Sequence, residues 1–303
     1  MSHSLRFRPD GTFKIAQFTD THIHNGEPKD QQTQALISQV LDAEQPDLVV
    51  LTGDVISGKG VRDPAAAWRF AVEPIVERGI LWASVFGNHD DESGLSRQAL
   101  MDVQQSIPCC LSEPGPQDVS GVGNYVLCIQ SATGEQPAAI LYFLDSNGYA
   151  ETDVEGYGWI RSDQIEWYRN TARDLRRFGG ENPLPALAFF HIPLPEYNEV
   201  WNEHPCQGIK QENVCCPRIN TGFFAAMHLA GDVIGTFVGH DHVNDYQGDL
   251  YGIRLCYGRG SGFNTYGREG FLHGARVIRL REGRREFETW LRLEDETCEK
   301  QHL

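Results

Sequence analysis

Five short apolar runs in this chain each stop at residues that can bind a cation. "FTDTHIH" presents Asp20 and His22, and "LTGD" presents Asp54. "FGNHD" presents Asn88 and His89, "FFHIP" presents His191, and "FVGHDH" presents His240 and His242. Carboxylate oxygens, imidazole nitrogens and an amide oxygen together suit first-row metals, with manganese, iron and zinc served about equally well. Any one of these segments is a weak signal, because Asp and Asn after a strand are ordinary turn formers. A lone histidine such as His191 is also more often a hydrogen-bonded core residue than a ligand. Their recurrence in five places, each directly after an apolar run, is hard to obtain from turns alone. Six of the 11 histidines fall in these segments, whereas His3 and His302 sit near the chain ends, where plain solvent exposure is expected.

The elements that must position these residues can be read from periodicity. "FKIAQFTD" reads as a strand ending at Asp20, and "DQQTQALISQVLDAEQ" as a helix closed by Pro46. "DLVVLTGD" is a continuous apolar run, as expected of a strand covered on both faces. "PAAAWRFAVEPIVERG" reads as a helix with Gly79 at its end, and "ILWASVFGNHD" as a third strand. This β-α-β-α-β order predicts a parallel core. "NYVLCIQ" and "AAILYFLDS" then predict a hairpin. "SDQIEWYRNTARDLRRF" predicts a helix capped by Ser162, followed by a buried strand in "LPALAFFHIP". A helix over 222–230 and a strand in "VIGTFVGHDH" come next. "GARVIRLREGRREFETWLRL" predicts a hairpin across Glu282-Gly283, and hence a second β-rich layer. Ligands bind beyond the carboxyl ends of strands in such sheets, so the five segments are expected to meet at one edge.

Composition narrows the function classes. The chain has 303 residues, 40% hydrophobic, enough to bury a large core as one unit spanning 1–303. Its formal charge of −16 argues against a nucleic-acid-binding surface or an anionic-membrane partner, both of which need basic residues. No apolar run is long enough to span a bilayer, and "MSHSLRFRPDGTFKIAQF" lacks a leader's apolar core, so a soluble cytoplasmic protein is expected. Neither Cys109-Cys110 nor Cys215-Cys216 has the spacing of a zinc ribbon or redox site, and free thiols are expected. The glycine-rich "CYGRGSGFNTYG" does not sit between a strand and a helix, which rules out a dinucleotide-binding reading. Tyr257 and Arg259 within it read as turn residues.

In order, the motifs are Asp20-Thr21-His22, Gly53-Asp54, Gly87-Asn88-His89-Asp90, His191 and Gly239-His240-Asp241-His242. This set resembles the calcineurin-like metallophosphoesterase superfamily over most of the chain. "GPQDVSGVGNYVL", "GYGWIRSDQIEWY", "HIPLPEY", "INTGFF", "GHDHVND" and "LCYG" are similar to its Dcr2-like branch, related to short plant purple acid phosphatases. The resemblance implies an α/β fold of two mixed sheets flanked by helices, a four-layer αββα sandwich.

It also implies a chemistry. A phosphoester resists nucleophiles because its anionic oxygens repel them. Two cations about 3.5–4 Å apart offset that charge, and one can lower the pKa of a water to near neutrality. By resemblance Asp54 bridges two metal ions (Mn, Fe or Zn). Asp20, His22 and His242 complete the first, and Asn88, His191 and His240 the second. His89 is then the acid or clamp at the leaving oxygen. Asp90 is either its partner or a helix cap. Purple acid phosphatases carry a tyrosine three residues after the bridging aspartate; here Ser57 stands there, so a strongly coloured iron site is not implied. The function implied is hydrolysis of a small phosphoester, monoester or diester. A cyclic-nucleotide phosphodiesterase of the same superfamily, or a non-catalytic metal-binding scaffold, is the alternative. His24, Asn25, Tyr197, Asn220 and Arg259 lie near the motifs in sequence and are expected to line the substrate pocket.

Overall fold

The computed structural model describes residues 4–180 and 182–301, so His3 and His302 lie outside the described residues. The first half follows the expected alternation. β1 (Thr12–Phe18), α1 (Pro28–Glu44), β2 (Leu48–Thr52), α2 (Pro64–Glu77) and β3 (Leu81–Val85) lead into α3 (Arg97–Gln105). β4 (Tyr125–Gln130) and β5 (Pro137–Phe143) form the antiparallel hairpin. α4 (Ser162–Leu175), β6 (Ala186–Phe189), α5 (Glu196–Glu203), β7 (Cys206–Gln207), α6 (Phe223–Ala230) and β8 (Val233–Val238) follow. β9 (Gln247–Leu250), β10 (Ile253–Tyr257), β11 (Gly274–Arg281), β12 (Phe287–Leu293) and β13 (Cys298–Lys300) complete the chain.

The strands form two mixed sheets, ordered β13-β12-β11-β1-β2-β3 and β4-β5-β6-β8-β10-β9-β7. Alternation along each strand sets the layers, because successive side chains point to opposite faces. In β2, Leu48 and Val50 join Leu141, Leu187 and Phe189 of the other sheet in a core between the sheets. Val49 and Leu51 face outward onto Leu36, Ile37, Val40 and Trp68 of α1 and α2. Likewise Leu141 and Phe143 of β5 point inward, whereas Ile140 and Tyr142 pack with Tyr168 of α4 and Phe223 of α6. Four layers result, helices–sheet–sheet–helices.

Three local readings differ from expectation. Ser162 is the first helical residue of α4 and not its cap; Arg161 precedes it in extended conformation, and its N–H donates to Gln164 Oε1 at 2.8 Å. Tyr257 and Arg259 are buried, Tyr257 at the end of β10. The β9–β10 hairpin went unread because Asp249 and Arg254 interrupt its apolar pattern. Its two-residue turn, Tyr251-Gly252, has φ of 49° and 84°, as a tight hairpin with the strands' own twist requires. All eight cysteines carry free thiols. Among the described residues, no helix is long and apolar enough to cross a membrane.

Candidate dinuclear metal centre

β1, β2 and β3 run side by side and parallel, as do β6 and β8 in the facing sheet. Their carboxyl ends therefore open at the same edge, and the loops leaving them converge. Asp20, His22, Asp54 and His242 form one group with a ligand atom from each within 4.8 Å, and Asp54, His191 and His240 form a second. Asp54 belongs to both. Its Oδ2 lies 3.8 Å from His22 Nε2 and 3.2 Å from His191 Nε2, while its Oδ1 accepts the His89 N–H at 2.8 Å. One oxygen is fixed by backbone and the other faces both groups.

The potential ligand atoms of each group crowd together at short range. His191 Nδ1 lies 2.7 Å from the Thr52 carbonyl oxygen, which can only accept, so Nδ1 carries the hydrogen. His191 Nε2 then faces Asp54 Oδ2 and His240 Nδ1, each 3.2 Å away. In the other group His22 Nε2 and His242 Nε2 are 3.3 Å apart. Asn88 Nδ2 donates to Tyr149 Oη at 3.1 Å, but Asn88 Oδ1 is buried with no partner. A buried carbonyl oxygen without a partner costs about 1–3 kcal/mol. A cation in each group would satisfy its carboxylate and imidazole atoms, and the residues present fit two ions.

Without a cation, the two buried carboxylates are balanced by protonated histidine. Burial raises the Asp54 carboxyl, but His191 and His22 outweigh it and hold it well below the usual range. Burial likewise opposes ionisation of Asp20, yet His242 and His191 bring it to about 2. His191 is pulled down by burial and held up at about 9 by Asp54 and Asp20. Burial takes His22 down to about 4 and, together with His191, takes His240 to about 3.

Sharp corners make the convergence possible. Asp20, His22, Asp54 and His240 have φ of 54°, 44°, 47° and 79°. Left-handed backbone at a non-glycine residue costs about 1–3 kcal/mol, and such strain gathers at working sites. Two glycines allow the close approach between loops. A Cβ on Gly87 would overlap Asp54 Oδ1, and one on Gly239 would overlap Thr19 Oγ1 and stand 2.7 Å from Asp20 Oδ2.

The family model for calcineurin-like phosphoesterases matches residues 13–244, a span that takes in every strand-end motif. The chain belongs to the calcineurin-like phosphoesterase family. "Probable inactive purple acid phosphatase 29" of Arabidopsis thaliana is 37% identical to it over 329 residues, covering 96% of this chain and 85% of that protein. Phosphatase DCR2 of Saccharomyces cerevisiae is 37% identical over 322 residues, covering 95% of this chain and 55% of its own length. A dimetal phosphatase from Danio rerio has the same fold, with a TM-score of 0.61 at 17% identity, covering 91% of this chain and 98% of its own.

Within this calcineurin-like phosphoesterase, Asp90 takes neither expected role. Its Oδ2 accepts from the N–H groups of Asp54 and Gly87, at 3.0 and 2.7 Å, and its Oδ1 from those of Val55 and Ile56, at 2.8 and 3.1 Å. Asp90 pins the corner that carries Asp54. Burial and the nearby Asp54 carboxylate push it up to about 7 against those N–H groups. The partner of His89 is Glu92, whose Oε2 lies 2.8 Å from His89 Nδ1. Ser57 Oγ donates to the His22 carbonyl oxygen.

The expected pocket residues lie elsewhere. Tyr197 is fully buried with its hydroxyl 2.8 Å from Thr236 Oγ1, and Arg259 is buried and ion-paired with Asp245. Asn220 pairs with Glu196 at the surface, and His24 and Asn25 line a separate pocket with Arg62. All five stand near the motifs in sequence, which says little about which way a side chain points. The residues that do reach the site went unread: Glu92, Tyr149, Tyr157 and Thr265. Tyr157 packs its ring on His240 with centroids 4.3 Å apart. Thr265 Oγ1 lies 2.6 Å from His242 Nδ1 and so fixes which nitrogen of His242 is free. Partners of this kind tune metal affinity by about 10–100-fold. Thr265→Val should weaken the binding of one metal equivalent by that factor while leaving the fold intact, as read by metal titration alongside circular dichroism.

Proposed function

We propose that this protein hydrolyses phosphoesters at a centre of two metal ions. Asp20, His22, Asp54 and His242 hold the first ion, and Asp54, Asn88, His191 and His240 the second. The observation that carries the reading is Asp54 Oδ2, which faces both ligand groups while Asn88 Oδ1 waits nearby, buried and without a partner. When bound, the two ions would offset the phosphoryl charge and lower the pKa of a water to near neutrality.

The rest of the work falls to the protein's own side chains. The His89 N–H keeps Asp54 turned so that one oxygen remains free to bridge. The His89 ring belongs to neither ligand group and is partly exposed, as a group serving a departing alcohol needs to be. With Nδ1 held by Glu92, Nε2 is left to carry a proton toward the leaving oxygen. Asp90 keeps the Asp54 corner rigid. Oxygen and imidazole donors do not by themselves choose between manganese, iron and zinc.

A screen of p-nitrophenyl phosphate, bis-p-nitrophenyl phosphate and cyclic AMP tests the reading, with manganese, zinc and iron added separately to stripped protein. Metal-dependent turnover of one of the first two is expected. Preference for cyclic AMP over both would move the reading to a cyclic-nucleotide phosphodiesterase. Two bound equivalents without turnover of any substrate would leave a metal-binding scaffold.

A further inference from the structure

We propose that the leaving-group side of this centre selects phosphomonoesters of amino alcohols, so that the departing alcohol carries a positive charge. The inference rests on the phosphoesterase reading above. A cleft of about 510 Å³ is lined by Asn88, the proposed ligand next to His89 in the chain, and by Tyr149, whose hydroxyl accepts from Asn88 Nδ2 at 3.1 Å. Glu92, which holds His89, lines the same cleft, so it lies on the side from which the alcohol departs. Asp91, Asp145 and Glu151 add three more carboxylates.

The cleft has two guanidinium groups, and both are committed. Arg97 is ion-paired with Asp145 and Asp91 and donates to the Gly87 carbonyl oxygen at 2.8 Å. Arg161 Nη2 sits 3.0 Å from Glu151 Oε2. A second phosphate or a carboxylate on the substrate would therefore enter a cleft of net negative charge with no free guanidinium to meet it.

The aromatic wall adds a positive reason. Backbone bonds from Ala150 N–H to Gly156 O at 2.9 Å and from Gly158 N–H to Gly148 O at 2.8 Å close the loop that holds Tyr149. Tyr157 stacks on Tyr149, with ring centroids 5.7 Å apart and planes 24° from parallel. Tyr149 is still 49% exposed, and its ring centroid stands 6.4 Å from that of His89. An aromatic face beside carboxylates is the arrangement that binds ammonium groups, through cation–π attraction and charge. In the reaction, water adds to phosphorus and the phosphorus–oxygen ester bond breaks. The alcohol oxygen leaves with the proton from His89, giving phosphate and a free amino alcohol.

The test uses three matched substrates on metal-loaded protein, with p-nitrophenyl phosphate as the reference. Phosphocholine carries the cation, 3,3-dimethylbutyl phosphate has the same shape without it, and 3-phosphoglycerate carries an anion. kcat/KM for phosphocholine should exceed that of the neutral isostere by about tenfold, the scale of a partly desolvated cation–π contact, and 3-phosphoglycerate should fall below both. The ratio of phosphocholine to its isostere should shrink toward one in Tyr149→Leu and in Glu151→Gln. As a ratio it is independent of any general loss of activity in these variants. Turnover of p-nitrophenyl phosphate with a ratio of one or less in the wild type would overturn the amino-alcohol assignment alone. No turnover of p-nitrophenyl phosphate under any metal would overturn this inference, and the phosphoesterase reading would fall with it only if bis-p-nitrophenyl phosphate and cyclic AMP were also left intact.

Discussion

His89→Ala is expected to keep both metal equivalents and a normal fold while losing about 10²–10⁴-fold in activity, the range of a general acid. The ring lies outside both ligand groups, and its centroid is 5.6 Å from that of His22. Removing it therefore takes away a proton donor and not a ligand. The loss should depend on the leaving group. A p-nitrophenolate departs readily without a proton and should suffer least, whereas an alkyl phosphoester should suffer most. His191→Ala is the contrast: it removes a donor that faces Asp54 Oδ2, so metal content should fall and every substrate should be harmed alike. Loss of metal from His89→Ala would make His89 a ligand. An equal loss across leaving groups, with metals retained, would make it a phosphoryl-orienting group instead.

Asp54→Asn should remove at least one of two metal equivalents. The amide has nearly the carboxylate's shape, so the bond from the His89 N–H to Oδ1 and those from the backbone to Asp90 can persist. What disappears is the negative oxygen that faces both groups. Several kcal/mol of charge stabilisation go with it, which corresponds to about 10³-fold or more in rate. Elemental analysis after gel filtration reads the metal content, and circular dichroism the fold. Two full equivalents in Asp54→Asn, or a wild type that never exceeds one, would show that Asp54 does not bridge.

The strand-end motifs were legible because each joins two independent signals, an apolar run and a metal-binding residue type. The inward and outward alternation that separates Val50 from Val49 then brings the strands together as two sheets. Asp90 was misread because adjacency in sequence was taken for contact. After Asn88 the chain turns, and the Asp90 carboxylate folds under the Asp54 corner while Glu92, three residues from His89, reaches the imidazole. Tyr149 and Tyr157 left no trace in the pattern. They lie on an irregular loop, and Tyr149 meets Asn88 across 61 positions of sequence. Thr265 reaches His242 from a similarly irregular stretch. Such contacts are set by loop closure, which no local period records.

The left-handed corners at Asp20, His22, Asp54 and His240 set function against robustness. Glycine would relax the backbone at each of these positions, since it alone adopts positive φ freely, and would delete a ligand in the same step. His22→Gly should therefore make the metal-free chain harder to melt, as a thermal denaturation scan would read. At His22 the strain and the ligand sit on one residue, whereas glycine at Asp20 or Asp54 would also strand the His240 and His89 N–H groups that their carboxylates accept from. Selection for durability alone would erode the site while leaving both sheets intact, and only a requirement for turnover would keep these corners strained.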